Sequence, residues 1–262
     1  MTKTNKPRIH RNGPYPDILF HFTSSKGLRG IIKEGFRPSY AKERIVSGST
    51  EKEIVVPMVS FCDLRLSELP FHMRKYGRFG IGLTKSWAEK MGLNPVAYVN
   101  NGSDFTTSIL TGLEGYSKLI AEIGDWDKMI LETRERYCKL LNIQRYIKSY
   151  EGKLIRKDKD FGNYRFADER EWRYVLPLET KGILPFMPKE LFGDEKKFYN
   201  KQIASYVLKF SAIDVKYIIV ENEKNIKPIC DHIASLDAIY DIRERNHLLA
   251  RILTASQIRA DM

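Results

Sequence analysis

The 262-residue chain is poor in cysteine and has no long apolar run. Its three cysteines, Cys62, Cys138 and Cys230, lie far apart with no CxxC or Cys/His spacing, so neither a disulfide framework nor a zinc site is indicated. No stretch of about eighteen apolar residues is present to cross a bilayer. The opening MTKTNKPRIHRNGPYPD lacks the apolar core of a secretory signal. A cytoplasmic protein without membrane contact is expected. Acidic and His residues do not gather at ligand spacing, which gives no metal site and disfavours a metal-dependent nuclease. The GxG of Phe79–Leu83 (FGIGL) lacks the third glycine and the strand-to-helix turn of a dinucleotide fingerprint, which excludes a Rossmann reading. Internal repeats and low-complexity tracts are absent.

What is present suits one elaborated domain. At 42% hydrophobic residues the chain can bury a core, and its length is near the upper size for a single domain. Residues 1–16, with three prolines and a glycine amid charge, read as a flexible arm, and residues 17–262 as the domain. The formal net charge is +11, and residues 1–50 hold ten Lys and Arg against Asp17, Glu34 and Glu43. Such a balance suits a polyanion, either nucleic acid or the phosphates of a dinucleotide, and equally a surface kept basic for solubility.

Taken in order, Asp17–Thr23 (DILFHFT) reads as a strand carrying His21. A helix follows, capped by Ser24 or Ser25 and stopped at Gly35. On an apolar strand a His is ordinarily a hydrogen-bonded core residue, but this one precedes a helix amino terminus that could hold phosphate. A polar loop with Arg37, Tyr40, Lys42 and Arg44 leads to a strand at Val55–Phe61, where Pro57 suggests an edge or bulge. Ser67–Tyr76 reads as a short helix. Phe79–Leu83 reads as a strand whose Gly80 and Gly82 share a face that something must approach closely. Ser86–Glu89 has capping-box spacing, and Pro95–Val99 reads as another strand. Thr107–Ile147 has helical periodicity interrupted at Gly124, with Tyr116, Leu119, Ile120, Ile123, Trp126, Met129, Ile130, Tyr137, Leu140 and Leu141 expected as core stripes. Residues 145–165 (RYIKSYEGKLIRKDKDFGNYR) interleave basic and aromatic side chains as a nucleic-acid contact would, or form a solvated hairpin. Tyr206–Phe210 and Val215–Val220 read as strands, Lys224–Leu236 as a helix, and Ile239–Ile258 as a further helix and terminal segment.

The stretch with most chemistry is FADEREWRYVLP, Phe166–Pro177. A strand at Glu171–Leu176 entered from a loop at 167–169 would put Glu169, Glu171 and Arg173 on one face and Arg170, Trp172 and Tyr174 on the other. Paired carboxylates in a cleft can stabilise an oxocarbenium-like transition state. On an isolated strand, Glu and Arg more often pair with one another at a solvated edge.

In order, HFT before a capped helix, VSFCD closing a second strand, YGRFGIGL and a late E-x-E resemble the core of ADP-ribosyltransferases of the H-Y-E type. More closely, HFTSSKGLRGIIKEGFRPSY, PMVSFCDLRLSE, YGRFGIGLTKSWAEKMGLNPVAY and DEREWRYV resemble the AbiGi abortive-infection phage-resistance family, described as antitoxins of phage-exclusion systems. The transferase resemblance implies an α+β fold with a split mixed β-sheet core and a helical insertion at about 103–147. It also implies NAD as substrate, lying between two small sheets. His21 would hold the adenosine-side ribose, with Phe22 and Thr23 beside it, and Tyr76, or else Phe61 or Phe79, the nicotinamide. Ser60, Arg37 and Tyr40 would complete the site, with Lys26, Arg29 and Arg44 near the pyrophosphate. Glu171 would stabilise the oxocarbenium ion and Glu169 orient the acceptor. A group of that kind supplies roughly 2–4 kcal/mol, so its loss would cost at least about a hundredfold in rate. A DNA or RNA acceptor, as in DarT-like enzymes, or a protein acceptor would follow. The AbiGi resemblance implies a cognate toxin or antitoxin as partner, and allows a non-catalytic binding module with the same fold.

Overall fold

The computed structural model describes residues 16–48, 50–124, 130–156, 159–187, 192–193 and 195–261. The expected arm at 1–16 falls outside these apart from Pro16, as do Trp126 and Met129. The centre of the fold is a mixed eight-stranded sheet in the order β12-β11-β4-β1-β3-β10-β5, with β2 paired to β3. Its strands are β1 (Ile18–Thr23), β2 (Ser39–Ser47), β3 (Thr50–Cys62), β4 (Phe79–Thr84), β5 (Asn94–Pro95), β10 (Glu171–Val175), β11 (Val215–Val220) and β12 (Ile252–Thr254). All neighbours are antiparallel except β11 and β12. The class is α+β with a mixed sheet. These strands share one sheet, so the expected split into two small sheets is not seen.

Two helix layers cover the sheet. On one face, α1 (Ser25–Glu34), α3 (Lys85–Lys90), α7 (Ile226–Ala234) and α8 (Ile242–Leu249) pack Leu28, Ile32, Trp87, Ile229, Ile233 and Leu248 against Leu19, Phe61, Ile81 and Ile218. On the other, α2 (Leu69–Tyr76) and α9 (Ala255–Asp261) pack Leu69, Met73 and Ile258 against Phe20, Phe22, Cys62 and Ile219. Further along that second face, Ile54, Val56 and Met58 of β3 meet Leu110, Val99 and Ile147 from α4 (Asp104–Ile123), β6 (Ala97–Val99) and β7 (Ile147–Ser149). Between these two apolar clusters, at Ser60, lies a polar seam.

Several local expectations hold. Ser24 caps α1 and its chain turns off at Gly35, φ 97°. Gly124, φ 72°, ends α4 before α5 (Leu131–Gln144), and this helical pair is inserted between the parallel strands β6 and β7. The close approach at Gly80 and Gly82 is made by rings of the neighbouring strand β1. A Cβ on Gly82 would sit 2.7 Å from the ring of its cross-strand partner Phe20, and one on Gly80 2.8 Å from that of Phe22.

Others are corrected. The polar loop after α1 is strand β2, whose alternation was hidden by Lys42, Glu43 and Arg44. Pro57 lies where the β10 ladder has just ended, rather than at an edge. Thr84, not Ser86, caps α3. Residues 206–210 form no strand beyond a single bridge from Leu208 to Phe36, and the stretch read as a further helix and terminal segment holds, after the helix Ile242–Leu249, the short strand Ile252–Thr254. None of the described residues expected as core stripes of the insertion is buried, and burial falls instead nearer its base, at Thr106, Leu110 and Leu113. Leu119, Ile123 and Ile130 are 58%, 51% and 73% exposed.

Candidate functional site

Strand β10 enters the sheet from a 3₁₀ turn at Phe166–Glu169, and Arg170 makes the junction in a left-handed conformation, φ 44°. Its guanidinium donates to the Asp63 carbonyl at 2.6 Å and pairs with Glu68, which fixes the turn against β3. From there the alternation is as the sequence implies: Glu171, Arg173 and Val175 are buried, with Trp172 and Tyr174 directed to the opposite face. β10 lies between β3 and β5 and is no solvated edge.

Glu169 and Glu171, each 4% exposed, meet at the ammonium of Lys148 on β7, with Nζ 3.3 Å from Glu169 and 2.6 Å from Glu171. Arg173, fully buried, places Nε 2.6 Å from Glu171 Oε1 and Nη2 2.8 Å from Glu43 on β2. The Ser60 hydroxyl donates to Glu171 at 2.7 Å. The Tyr76 hydroxyl donates to Glu169, and the Glu171 amide donates to the Tyr98 hydroxyl at 2.8 Å. Both oxygens of each carboxylate are thus engaged within the protein. Desolvation alone would raise the Glu171 carboxyl, but Arg173 and Lys148 hold it well below the usual carboxylate range. Burial opposes the charge of Arg173 and Lys148 too, and the facing carboxylates keep both cations above their ordinary values. Burial and then Glu169 push the Tyr76 phenol up, and burial with the same acids keeps Cys62 a thiol.

Of the residues expected at a ligand site, the structure brings Ser60, Tyr76, Glu169 and Glu171 together. His21 is elsewhere. Phe20, Cys62 and Glu171 are successive cross-strand partners and therefore share a face, so His21, one residue on from Phe20, projects through the other. There its Nδ1–H donates to the Ser60 carbonyl at 2.8 Å, and its ring packs on Phe36 and Phe61 at 5.3 and 5.5 Å. Burial lowers its pKa. Thr23 and Phe79 are register partners on that same face, while Phe22 lies opposite, against His72. Arg37 is exposed and paired with Glu34. Tyr40 is buried in a separate cluster, donates to the Leu184 carbonyl at 2.6 Å, and has its phenol pushed up to about 12 by burial.

Lys148, Glu43 and Tyr98 were not singled out in the sequence. The one available signal was that two carboxylates sharing a buried face demand more cation than Arg173 alone supplies. A cleft of about 730 Å³ opens between α5 and the end of β10, lined by Cys138, Tyr146, Tyr174 and Glu179 among others, and takes in none of Lys148, Glu169, Glu171 and Arg173. Among the described residues no group of His, Cys, Asp and Glu could hold a metal ion, and no helix is long and apolar enough to cross a membrane.

Fold and site together define an α+β protein with a mixed sheet, a helical insertion and an internally neutralised ionic centre. The chain belongs to the AbiGi family, whose profile, described as abortive phage resistance protein AbiGi, antitoxin, matches residues 34–221. It is 27% identical over 253 residues to the abortive phage resistance protein AbiGi of Lactococcus lactis subsp. cremoris, covering 86% of this chain and 99% of that one. No solved structure matches it.

Proposed function

We propose that the protein is the antitoxin-type member of a phage-exclusion pair and acts by binding, with Glu169 and Glu171 serving the fold. The observation that carries this reading is the saturation of both carboxylates: each oxygen is spent on Lys148, Arg173, Ser60 or Tyr76 in a setting almost closed to solvent. A carboxylate that is to stabilise an oxocarbenium ion must face the sugar, and its charge must be available to it. The separation of His21 from Glu171 by the thickness of the sheet supports the same reading, since one NAD molecule between them needs both on one side. Family membership supports an antitoxin role through the description of the AbiGi profile.

The test is incubation of the wild-type protein with labelled NAD and a cell lysate, run beside Glu171→Gln. Neither free nicotinamide nor transferred label is expected from either protein. A second arm replaces the ionic centre by Lys148→Met with Glu171→Gln and measures phage exclusion with the cognate toxin present. A folded double variant that still neutralises the toxin supports binding. NAD turnover lost in Glu171→Gln would establish instead the mono-ADP-ribosyltransferase that the H-Y-E resemblance implies.

A further inference from the structure

The segment whose composition suggested nucleic acid folds as β7 and a hairpin of β8 (Glu151–Arg156) and β9 (Lys159–Arg165), paired to each other and to no strand of the main sheet. Both hairpin strands are mostly exposed, with Leu154 as the buried anchor. The hairpin stands beside the last turn of α2, and cations and rings alternate across the junction. Lys75 lies 4.2 Å from the centre of the Tyr164 ring, Arg156 4.7 Å from that of Tyr76, Lys159 5.2 Å from Phe161 and Arg165 5.9 Å from Tyr150.

Acidic partners are unevenly supplied. Arg165 has Asp168 at 3.7 Å and Lys153 has Asp160 at 2.9 Å, whereas Arg74, Lys75, Arg156 and Lys159 form no ion pair with a carboxylate among the described residues. The cations also crowd one another. His72 beneath them is depressed to about 3, by burial first and then by Lys75, Lys148 and Arg156, and Arg156 adds to the burial that lowers Lys196 on α6 (Lys196–Gln202). Glu169 and Asp168 offset part of this charge at Lys75, and the excess of like charge that is left costs stability, which an arriving polyanion would recover.

We propose that this surface, Arg74, Lys75, Arg156 and Lys159 with Tyr164 against Lys75 and Tyr150 beside Arg165 at the base of the hairpin, binds single-stranded nucleic acid. The rings decide between polyanions. An acidic protein surface would engage the cations alone, whereas a single strand offers phosphates to the cations and unstacked bases to half-exposed rings such as Tyr150, 38% exposed. The inference does not depend on whether Glu171 is catalytic, and either can fail without the other.

The test is fluorescence anisotropy with labelled oligouridine and oligothymidine, duplex DNA and polyglutamate over a salt series starting at about 50 mM. Single strands should bind with a slope of log K on log salt that falls by about 2 in the triple variant Arg74→Gln/Arg156→Gln/Lys159→Gln, at about 0.7 per lost phosphate contact. Tyr150→Ala should weaken single-strand binding roughly five- to a hundredfold and leave polyglutamate binding unchanged. All substituted positions are exposed, so circular dichroism should report an intact fold. No oligonucleotide binding at the lowest salt, or an unchanged slope in the triple variant, would overturn the proposal. Polyglutamate bound as tightly as oligouridine, with Tyr150→Ala silent, would replace it by an acidic protein partner.

Discussion

On one face of the central sheet His21 lies half-buried against Phe36 and Phe61, where desolvation disfavours its charged form, and on the other Glu171 is buried charged among Lys148 and Arg173. Both are polar residues on inner strands, and both contact Ser60, one through its carbonyl and the other through its hydroxyl. The imidazole can shed its proton, so burial among rings with one hydrogen bond suffices. The carboxylate kept ionised requires two cations and a hydroxyl, which the chain gathers from β3, β7 and β10. The centre therefore depends on long-range assembly, and His21 on its immediate strands.

The comparison is broken most strongly at Arg173. Its removal as Arg173→Met leaves Glu43 without its cation and Glu171 with Lys148 alone, and should lower unfolding free energy by about 3–5 kcal/mol in urea titrations. Acid sharpens the contrast. Because the folded protein holds Glu171 ionised to lower pH than the unfolded chain does, its contribution is whole above about pH 4.3 and is lost as pH falls through that value towards the folded one. Glu171→Gln should flatten that limb. His72 acts in an earlier window: the unfolded imidazole takes up its proton near pH 6.5 but the folded one only at about 3, so stability declines as pH drops between them, and His72→Phe should remove this decline. A Glu171→Gln protein with an unchanged acid limb would show that the carboxylate is not held ionised by its neighbours.

A second break lies at the aromatic packing. Gly82→Ala drives a methyl into the Phe20 ring in a strand with neighbours on both sides, and should cost about 1–3 kcal/mol, where Gly112→Ala on α4, with open space around it, should be neutral or stabilising. Equal effects at the two glycines would refute the close approach. Smaller again is His21→Phe, which keeps a ring among rings and forfeits one hydrogen bond to Ser60, for about 0.5–1.5 kcal/mol.

What the sequence made legible follows from how local each determinant is. The Ser24 cap, the Gly35 and Gly124 stops and the alternation of Glu171, Arg173 and Val175 are written within a few residues of where they act, and each is found. Strand β2 was missed because its pattern, Tyr40 buried on one face and Ile45 on the other with Lys42, Glu43 and Arg44 between them, is set by pairing with β3 and not by its own composition. Half of the ionic centre was legible as Glu169, Glu171 and Arg173. The Lys148 half was not, because its segment looked like a solvated basic run and only the parallel pairing of β7 with β6 turns that side chain inward. The placement of His21 opposite Glu171 depends on strand order and register, which no spacing in the chain encodes.

The smallest expected effect tests the other misread region, the insertion. Helical periodicity placed Leu119 in a core stripe, yet it is mostly exposed, whereas Leu113, nearer the base of α4 and outside the stripes read from the sequence, is buried. Period reports which face of a helix is apolar and not how far along it the protein body reaches. Leu113→Ala should therefore cost about 2–5 kcal/mol, whereas Leu119→Ser should stay within about 0.5 kcal/mol of wild type. Urea midpoints of the two variants, measured side by side, check the difference. A large loss at Leu119 would mean that the outer part of α4 is covered in solution, and the mass of the wild-type protein by light scattering would then show whether a second copy of this chain does the covering.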